Sequence, residues 1–214
     1  MSTSTVVAWL QALMMWAAPP DRFAAAQSYP GWEETAEARS ARYRSIAEDL
    51  QAVAYDPAER PLFAGKRGRA RTAALLLALA LKESGLAPDT DRGPCYRGRD
   101  GRNARCDSGR SACMLQIRVG KGTTPEGWTK EDLFADRRKC FRAGLHLARR
   151  SVGACSQDGP DFILNAYASG VCGLGHQQSR ERVALAERLF VRQPVPADDA
   201  LTKEGLDASS KGAP

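Results

Sequence analysis

Apolar residues recur at helical spacing along most of the chain, and this pattern predicts a mainly helical protein. In one such stretch, Tyr43, Ile46 and Leu50 share a helix face, whereas Arg39 and Arg42 are expected to face away from it. The predicted helices cover residues 1–18, 33–54, 73–84, 129–148, 160–170 and 177–191.

The segment from Ala73 to Leu81 is apolar without interruption, which is typical of a helix that is buried on all sides. It closes with Lys82-Glu83-Ser84-Gly85, whose glycine is suited to a helix C-terminus, and Pro88 prevents continuation. We therefore expect this helix to form the centre of the core.

The region that follows the buried helix lacks this periodicity. Residues 87–112 are polar and rich in glycine and arginine, so we expect an irregular insertion with at most a short hairpin. Thr129 and Asp132 resemble a capping box, which predicts the start of one helix running to Ala148. The predicted organisation is a helical extension (1–60), a main domain (61–192) and a disordered tail (193–214).

The first 26 residues fit two interpretations. Val6 to Ala18 is nearly all apolar and Ala24-Ala25-Ala26 resembles a cleavage site, which favours a signal peptide. No Lys or Arg precedes the apolar run, which favours a docking helix instead. The docking face would consist of Val6, Trp9, Leu10, Leu13 and Met14.

Charge and composition narrow the classes of function. The chain of 214 residues has a net charge of +6, which favours a polyanionic partner such as nucleic acid, an anionic membrane surface or an anionic cell-wall polymer. It contains no apolar run long enough to predict a transmembrane helix.

The cysteines favour disulfides over a metal site. All six lie between residues 95 and 172, and no pair has the CxxC spacing of zinc ribbons. An even number in one region is typical of disulfides formed in an oxidising compartment. Cys95 and Cys106 are expected to pair, because the polar loop between them would otherwise be unconstrained; the sequence leaves the other pairings open.

Glu83 has the surroundings of a proton donor. It follows Leu76 and Leu79 on the same face of the buried helix, and it lies in that helix's last turn. Partial burial and the negative end of the helix dipole both disfavour a carboxylate, so both should raise the pKa of Glu83. A carboxylic acid with a raised pKa can protonate a leaving oxygen near neutral pH.

Three motifs along the chain resemble the signatures of one enzyme family. They are Glu83-Ser84-Gly85, Cys113-Met114-Leu115-Gln116-Ile117 and Asn165-Ala166-Tyr167-Ala168-Ser169-Gly170. In the same order, the soluble lytic transglycosylases and goose-type lysozymes carry Glu-Ser beside a small residue, Gly-Leu-Met-Gln and Ala-Tyr-Asn-Ala-Gly. The resemblance covers Thr72 to Phe190.

This resemblance implies a lysozyme-like transglycosylase domain that binds peptidoglycan strands and needs no cofactor or metal. Glu83 corresponds to the family's single catalytic acid/base. The implied substrate-binding residues are Ser84, Met114, Gln116, Asn165 and Tyr167. The implied location is the cell envelope, periplasmic or secreted, or a phage particle, and the sequence leaves the export signal open.

The chain departs from the family pattern in three places. Cys113 replaces the glycine of the second motif, Ala168 replaces the asparagine of the third, and the segment between Glu83 and Gln116 is long. We expect this long segment to form a wall of the binding groove.

Two reaction outcomes are open. A lytic transglycosylase works with one carboxylate, because the N-acetyl group of the substrate supports the reacting carbon and the C6 hydroxyl closes a 1,6-anhydro ring. A hydrolase would activate water instead, and its second carboxylate would be Asp89, Asp91 or Asp107.

Two further classes of protein compete with an enzyme. Gly65-Lys66-Arg67-Gly68-Arg69 and Arg97-Gly98-Arg99-Asp100-Gly101-Arg102 resemble segments that contact nucleic-acid phosphates. A lysozyme-like domain without activity would serve as a wall-binding or structural module. His146 and His176 are too few for a metal site.

Overall fold

The computed structural model describes residues 3–19, 31–95, 105–119 and 122–192, and this part of the chain is mainly helical, as predicted. The helices are α1 (Thr3–Ala17), α2 (Ala36–Ala54), α3 (Gly68–Ser84), α4 (Pro88–Arg92), α5 (Arg105–Gly109), α6 (Lys130–Ala135), α7 (Arg137–Cys155), α8 (Asn165–Ser169) and α9 (His176–Arg192). Ser111–Ala112 (β1) and Ile117–Arg118 (β2) pair as an antiparallel hairpin. Neither Ala24-Ala25-Ala26 nor the tail 193–214 belongs to the described residues.

Helix α3 forms the centre of the core, as its sequence predicts. Every residue from Thr72 to Ala80 is buried, and α9, α2 and α7 all pack against this helix. The buried residues of α1 and α2 belong to the same apolar core as those of α3. The predicted docking face of α1 is buried in that core: Val6, Trp9, Leu10, Leu13 and Met14.

The prediction that Arg39 and Arg42 face away from the core is wrong. Arg39 is 1% exposed and Arg42 is 6% exposed. The guanidinium of Arg42 donates to the Glu34 carboxylate at 2.8 and 2.9 Å and also contacts Asp91 at 3.3 Å. Burial of these cations is tolerated because Glu34, directly before α2, and Asp91 of α4 place carboxylates beside them.

The ends of α3 and α6 follow local rules that the sequence displays. Gly85 adopts a left-handed conformation (φ 61°) directly after α3, and its amide donates to the Leu81 carbonyl. Thr129 and Asp132 form the predicted capping box at the start of α6. The predicted single helix from Thr129 is divided, however, because Asp136 caps a second helix, α7.

The insertion contains more regular structure than the sequence predicts. Residues 88–92 form α4, residues 105–109 form α5, and the hairpin extends beyond the insertion to Arg118. The segment 160–170 likewise divides, into a 3-10 turn (Pro160–Phe162) and α8, and Gly170 ends α8 with φ 87°.

Three disulfides connect the irregular segments. Cys95 bonds with Cys106, as predicted. The other two disulfides run to α7, joining Cys113 to Cys140 and Cys172 to Cys155. The segments that carry Cys113 and Cys172 are therefore attached covalently to α7. Within the described residues, no helix is both long and apolar enough to cross a membrane.

Candidate active site

A cavity of about 450 Å³ lies where the end of α3 meets the β1–β2 hairpin and α8. We call it the Glu83 cavity. Three of the predicted site residues, Glu83, Gln116 and Tyr167, line it together although they are far apart in sequence. The full lining is Glu83, Asp107, Ser111, Leu115, Gln116, Arg118, Leu147, Ala166, Tyr167, Ala168, Ser169 and Gly170.

Glu83 is mostly buried, with its side chain 17% exposed. Its carboxylate accepts two hydrogen bonds from Arg182 of α9, one from Nε at 3.0 Å and one from Nη2 at 2.7 Å. Both bonds go to the same oxygen, Oε1. No described residue binds Oε2, which leaves this oxygen available to a molecule in the cavity.

Helix α9, which carries Arg182, packs against α3, and two surface ion pairs link the two helices. Lys82 donates to Glu181 at 2.9 Å, and Arg71 donates to Glu187 at 2.6 Å. The sequence pattern did not identify Arg182, because it lies 99 residues from Glu83.

The pKa of Glu83 is raised above its ordinary value, as the sequence predicts. The main cause is burial, which disfavours the carboxylate. Arg182 opposes this effect through its charge and hydrogen bonds, whereas the negative charge of Asp107 adds to it. Glu83 thus stays protonated to a higher pH than an exposed glutamate, and this is the property that a general acid needs.

The turn that carries Gln116 is fixed by its backbone and by its neighbours. Cys113 and Gln116 have positive φ angles (58° and 48°), a conformation that most residues other than glycine avoid. The disulfide to Cys140 and a close contact of Leu115 with Gly144 of α7 hold this turn in place. A Cβ atom at position 144 would lie 2.2 Å from Leu115 Cδ1, so this approach requires glycine.

The amide of Gln116 is engaged within the turn itself. Its Nε2 donates to the Cys113 carbonyl at 3.0 Å and contacts Cys106 Sγ at 3.2 Å. These bonds fix the orientation of the Gln116 side chain at the cavity wall.

Tyr167 connects α8 to the same turn. Its hydroxyl donates to the Leu115 carbonyl at 3.0 Å, and its backbone amide donates to Ser151 Oγ of α7. Burial raises the pKa of Tyr167 well above its ordinary value, and the charge of Glu83 raises it further. The phenol therefore stays neutral and can act as a hydrogen-bond donor.

The other predicted binding residues have buried side chains that do not line the cavity. Ser84 donates to the Ala80 carbonyl, Met114 packs in the apolar core, and Asn165 donates to the Cys172 carbonyl. This burial does not fit the prediction that these three side chains contact substrate. They support the residues that do line the cavity.

Among the three candidates for a second carboxylate, the structure brings only Asp107 to Glu83. Asp107 lines the cavity and accepts a hydrogen bond from Ser111 Oγ at 2.9 Å. Asp91 is buried and bound to Arg42 and Arg137, and Asp89 is fully buried. Asp91 therefore has a structural role as the partner of Arg42 and Arg137, and the burial of Asp89 keeps it out of the cavity.

One group in the described part of the chain has the spacing of metal ligands, namely Cys155, Asp158 and Cys172. Its two sulfur atoms are joined in a disulfide and offer no thiolate. His146 contacts Glu126 through Nδ1 at 2.9 Å and Glu59 through Nε2 at 3.1 Å. Its ring is therefore held between two carboxylates.

A second depression, of about 650 Å³, lies between α1 and α2 and includes Glu37. Hydrogen bonds from its own backbone amide and from Thr35 lower the pKa of Glu37. This carboxylate stays ionised and lacks the proton that an acid catalyst must supply. The Glu83 cavity is the better candidate for that reason.

Compared with known proteins, the chain matches no family model, and no curated protein or solved structure matches it at a significant level. The site must therefore be interpreted from its own geometry and from the three sequence motifs.

Proposed function

We propose that the chain is a lysozyme-like lytic transglycosylase that cleaves the β-1,4 bond between N-acetylmuramic acid and N-acetylglucosamine in peptidoglycan. One observation carries the proposal. Glu83 has a pKa raised by burial, one oxygen held by Arg182 and the other without a partner among the described residues, in a cavity that Gln116 and Tyr167 share. This is the arrangement that a single acid/base residue requires.

The reaction would use Glu83 twice. Protonated Glu83 gives its proton to the glycosidic oxygen while the N-acetyl carbonyl oxygen of muramic acid attacks C1, so the C1–O bond breaks and an oxazolinium ion forms. The Glu83 carboxylate then takes the proton of the C6 hydroxyl. The C6 oxygen attacks C1, the bond from the N-acetyl oxygen breaks, and a 1,6-anhydro ring closes.

The first test is the variant Glu83→Gln. We expect it to retain its helical circular-dichroism spectrum and its binding to purified cell walls, and to lose clearing of a wall suspension. Glu48→Gln is the matched control, because Glu48 is an exposed acid on α2 whose one partner in the described part of the chain is Arg44. Clearing by Glu83→Gln at the wild-type rate would end the assignment. If the protein is a wall-binding module without activity, the wild type and both variants should bind cell walls and none should clear the suspension.

A hydrolase of the goose-type lysozyme class is the second candidate, and the position of Asp107 favours it. Asp107 lines the same cavity, and its charge raises the pKa of Glu83. A hydrolase with Asp107 as its base would lose most of its activity in Asp107→Asn, whereas a transglycosylase would keep it. Mass spectrometry of the released fragments separates the two reactions, because anhydro ends are lighter than reducing ends by one water.

The structure gives less support to a nucleic-acid binder. Of the basic segment 65–69, Arg69 donates to the carbonyls of Ala54 and Asp56, so its guanidinium is used within the fold. The segment 97–102 lies outside the described residues. Binding to mixed-sequence DNA that exceeds binding to cell walls at moderate salt would favour this class instead.

We place the site of action in the cell envelope or outside the cell. Three disulfides are compatible with an oxidising compartment, where peptidoglycan is also found.

A further inference from the structure

Arg118 places a positive charge without a described partner in the wall of the Glu83 cavity. It is exposed at the end of β2, opposite Ser111 in the hairpin, and it lines the cavity. Its guanidinium has no hydrogen-bond or ion-pair partner in the described part of the chain. A guanidinium placed in this way can bind a carboxylate with two parallel hydrogen bonds.

A third cavity, of about 390 Å³, begins on the other side of Ser111. We call it the Lys130 cavity. Ser111 lines both cavities, so the hairpin separates them by the width of one residue. The remaining lining residues of the Lys130 cavity are Gly93, Pro94, Cys95, Cys106, Gly109, Lys130, Glu131 and Phe134.

The Lys130 cavity combines an apolar surface with charges of both signs. The ring of Phe134 lies directly against Gly93, where a Cβ atom would be 2.5 Å from the ring. Lys130 donates to the Gly109 carbonyl and keeps two further N–H donors. Glu131 is exposed, and its carboxylate has no partner among the residues that the structure describes.

Such a surface fits a short peptide better than another sugar. An N-acetylglucosamine unit carries no charge, so it gives no reason to keep a lysine and a glutamate at the cavity edge. A peptide can place a free carboxylate at Arg118, an amine at Glu131 and a small apolar side chain against Phe134. In peptidoglycan, such a peptide stem is attached to the lactyl group of each muramic acid unit.

We infer that the peptide stem leaves the Glu83 cavity past Arg118, crosses the hairpin at Ser111 and lies in the Lys130 cavity, with Arg118 binding a stem carboxylate. This inference rests on the proposed function. It adds that the protein recognises the peptide as well as the glycan.

Binding to muropeptides tests the inference without catalysis. GlcNAc–MurNAc–tetrapeptide and GlcNAc–MurNAc both lack the MurNAc–GlcNAc bond, so the wild-type protein can be titrated with each in a calorimeter. We expect the peptide to tighten binding at least about tenfold, since hydrogen bonds to charged groups contribute that much. We expect Arg118→Gln to remove this gain and leave disaccharide binding unchanged.

Arg110→Gln is the matched control, because Arg110 is also exposed and lies beside Ser111 but lines neither cavity. It should bind both ligands as the wild type does. Glu131→Gln should weaken only the tetrapeptide ligand.

Four other results would overturn the inference, and each has a different consequence. Equal wild-type affinity for the two ligands would remove the peptide site and leave the proposed function intact. An equal loss for both ligands in Arg118→Gln would move Arg118 to the sugar. A loss for the disaccharide alone would move it to the lactyl carboxylate, which is free only when no peptide is attached. If neither ligand binds and cell walls are not cleared, the proposed function fails as well.

Discussion

Arg182 binds Glu83 through a single carboxylate oxygen, with Nε and Nη2 donating to Oε1 at 3.0 and 2.7 Å. The two bonds fix the position of Oε1 and leave Oε2 without a protein partner in the described structure. The charge of Arg182 favours the carboxylate, while burial favours the acid, and burial has the larger effect. Arg182 thus holds the proposed proton donor in place, and the balance between burial and the charge of Arg182 sets the pKa of Glu83.

The first prediction concerns Arg182→Gln. Removing the cation removes an influence that lowers the pKa of Glu83, so Glu83 stays protonated to a higher pH. We expect the alkaline limb of the pH–rate profile for wall clearing to move upward, and kcat to fall because the carboxyl group is held less firmly.

The matched control for this variant is Arg188→Gln. Arg188 is exposed on the same helix and has no side-chain partner among the described residues. It should leave the profile in place. An Arg182→Gln profile that moves downward would contradict the electrostatic role of Arg182.

The second prediction concerns the pH dependence of stability. Because the pKa of Glu83 is raised in the folded state, the folded protein binds the proton more tightly than the unfolded chain. The stabilising contribution is fully present below the ordinary value of 4.5 and is lost as pH rises through the folded pKa. The free energy of unfolding of the wild type, relative to Glu83→Gln, should therefore decrease from pH 4.5 upward.

Urea titrations at several pH values measure this difference. A relative stability that increases over the same range would mean that Arg182, rather than burial, determines the pKa of Glu83.

The third prediction compares two tyrosines. Tyr167→Phe leaves the buried Leu115 carbonyl without its donor, which costs about 1–3 kcal/mol. Tyr43→Phe does the same to the buried Ala18 carbonyl, far from the Glu83 cavity. We expect similar losses in the free energy of unfolding for both variants, but a loss of wall clearing only for Tyr167→Phe.

Activity is compared well below both melting temperatures, so that unfolding does not contribute. Equal clearing by the two variants would show that Tyr167 supports the fold alone.

The fourth prediction concerns two glycines of α7. A methyl group at Gly144 would lie 2.2 Å from Leu115 Cδ1, so Gly144→Ala should destabilise the protein by about 1–3 kcal/mol. At Gly153 nothing lies within 4 Å of the added methyl group. Gly153→Ala should therefore be neutral or stabilising by up to about 1 kcal/mol, because alanine favours the helix.

Chemical denaturation of the two single variants and of Gly144→Ala combined with Leu115→Ala measures these effects. The double variant should lose less than the sum of the single losses, because shortening Leu115 gives space to the methyl group. Additive losses would contradict the proposed contact.

Features that depend on a few neighbouring residues were predictable from the sequence. The buried helix α3, its end at Gly85, the capping box of Thr129 and the Cys95–Cys106 disulfide are all confirmed. Each depends on periodicity, on backbone freedom or on a short separation along the chain. The raised pKa of Glu83 followed for the same reason, since the apolar stripe beneath it is local.

Contacts between distant segments were not predictable in this way. Arg42 was expected to face away from the core, yet it is buried beside Asp91, which lies 49 residues further along the chain. Arg182 is charged and lies on an amphipathic helix, and its partner Glu83 belongs to another helix. Periodicity in the sequence indicates which face of a helix is polar. Only the fold shows which oppositely charged residue contacts a given arginine.

Two of the three crosslinks tie wall segments of the Glu83 cavity to α7, while α1, α2, α3 and α9 contain no cysteine. A chain in a reducing compartment can therefore assemble its helical scaffold before the walls of this cavity are crosslinked. In a reducing environment the walls of the Glu83 cavity would thus lack this attachment, while the helical scaffold keeps its packing.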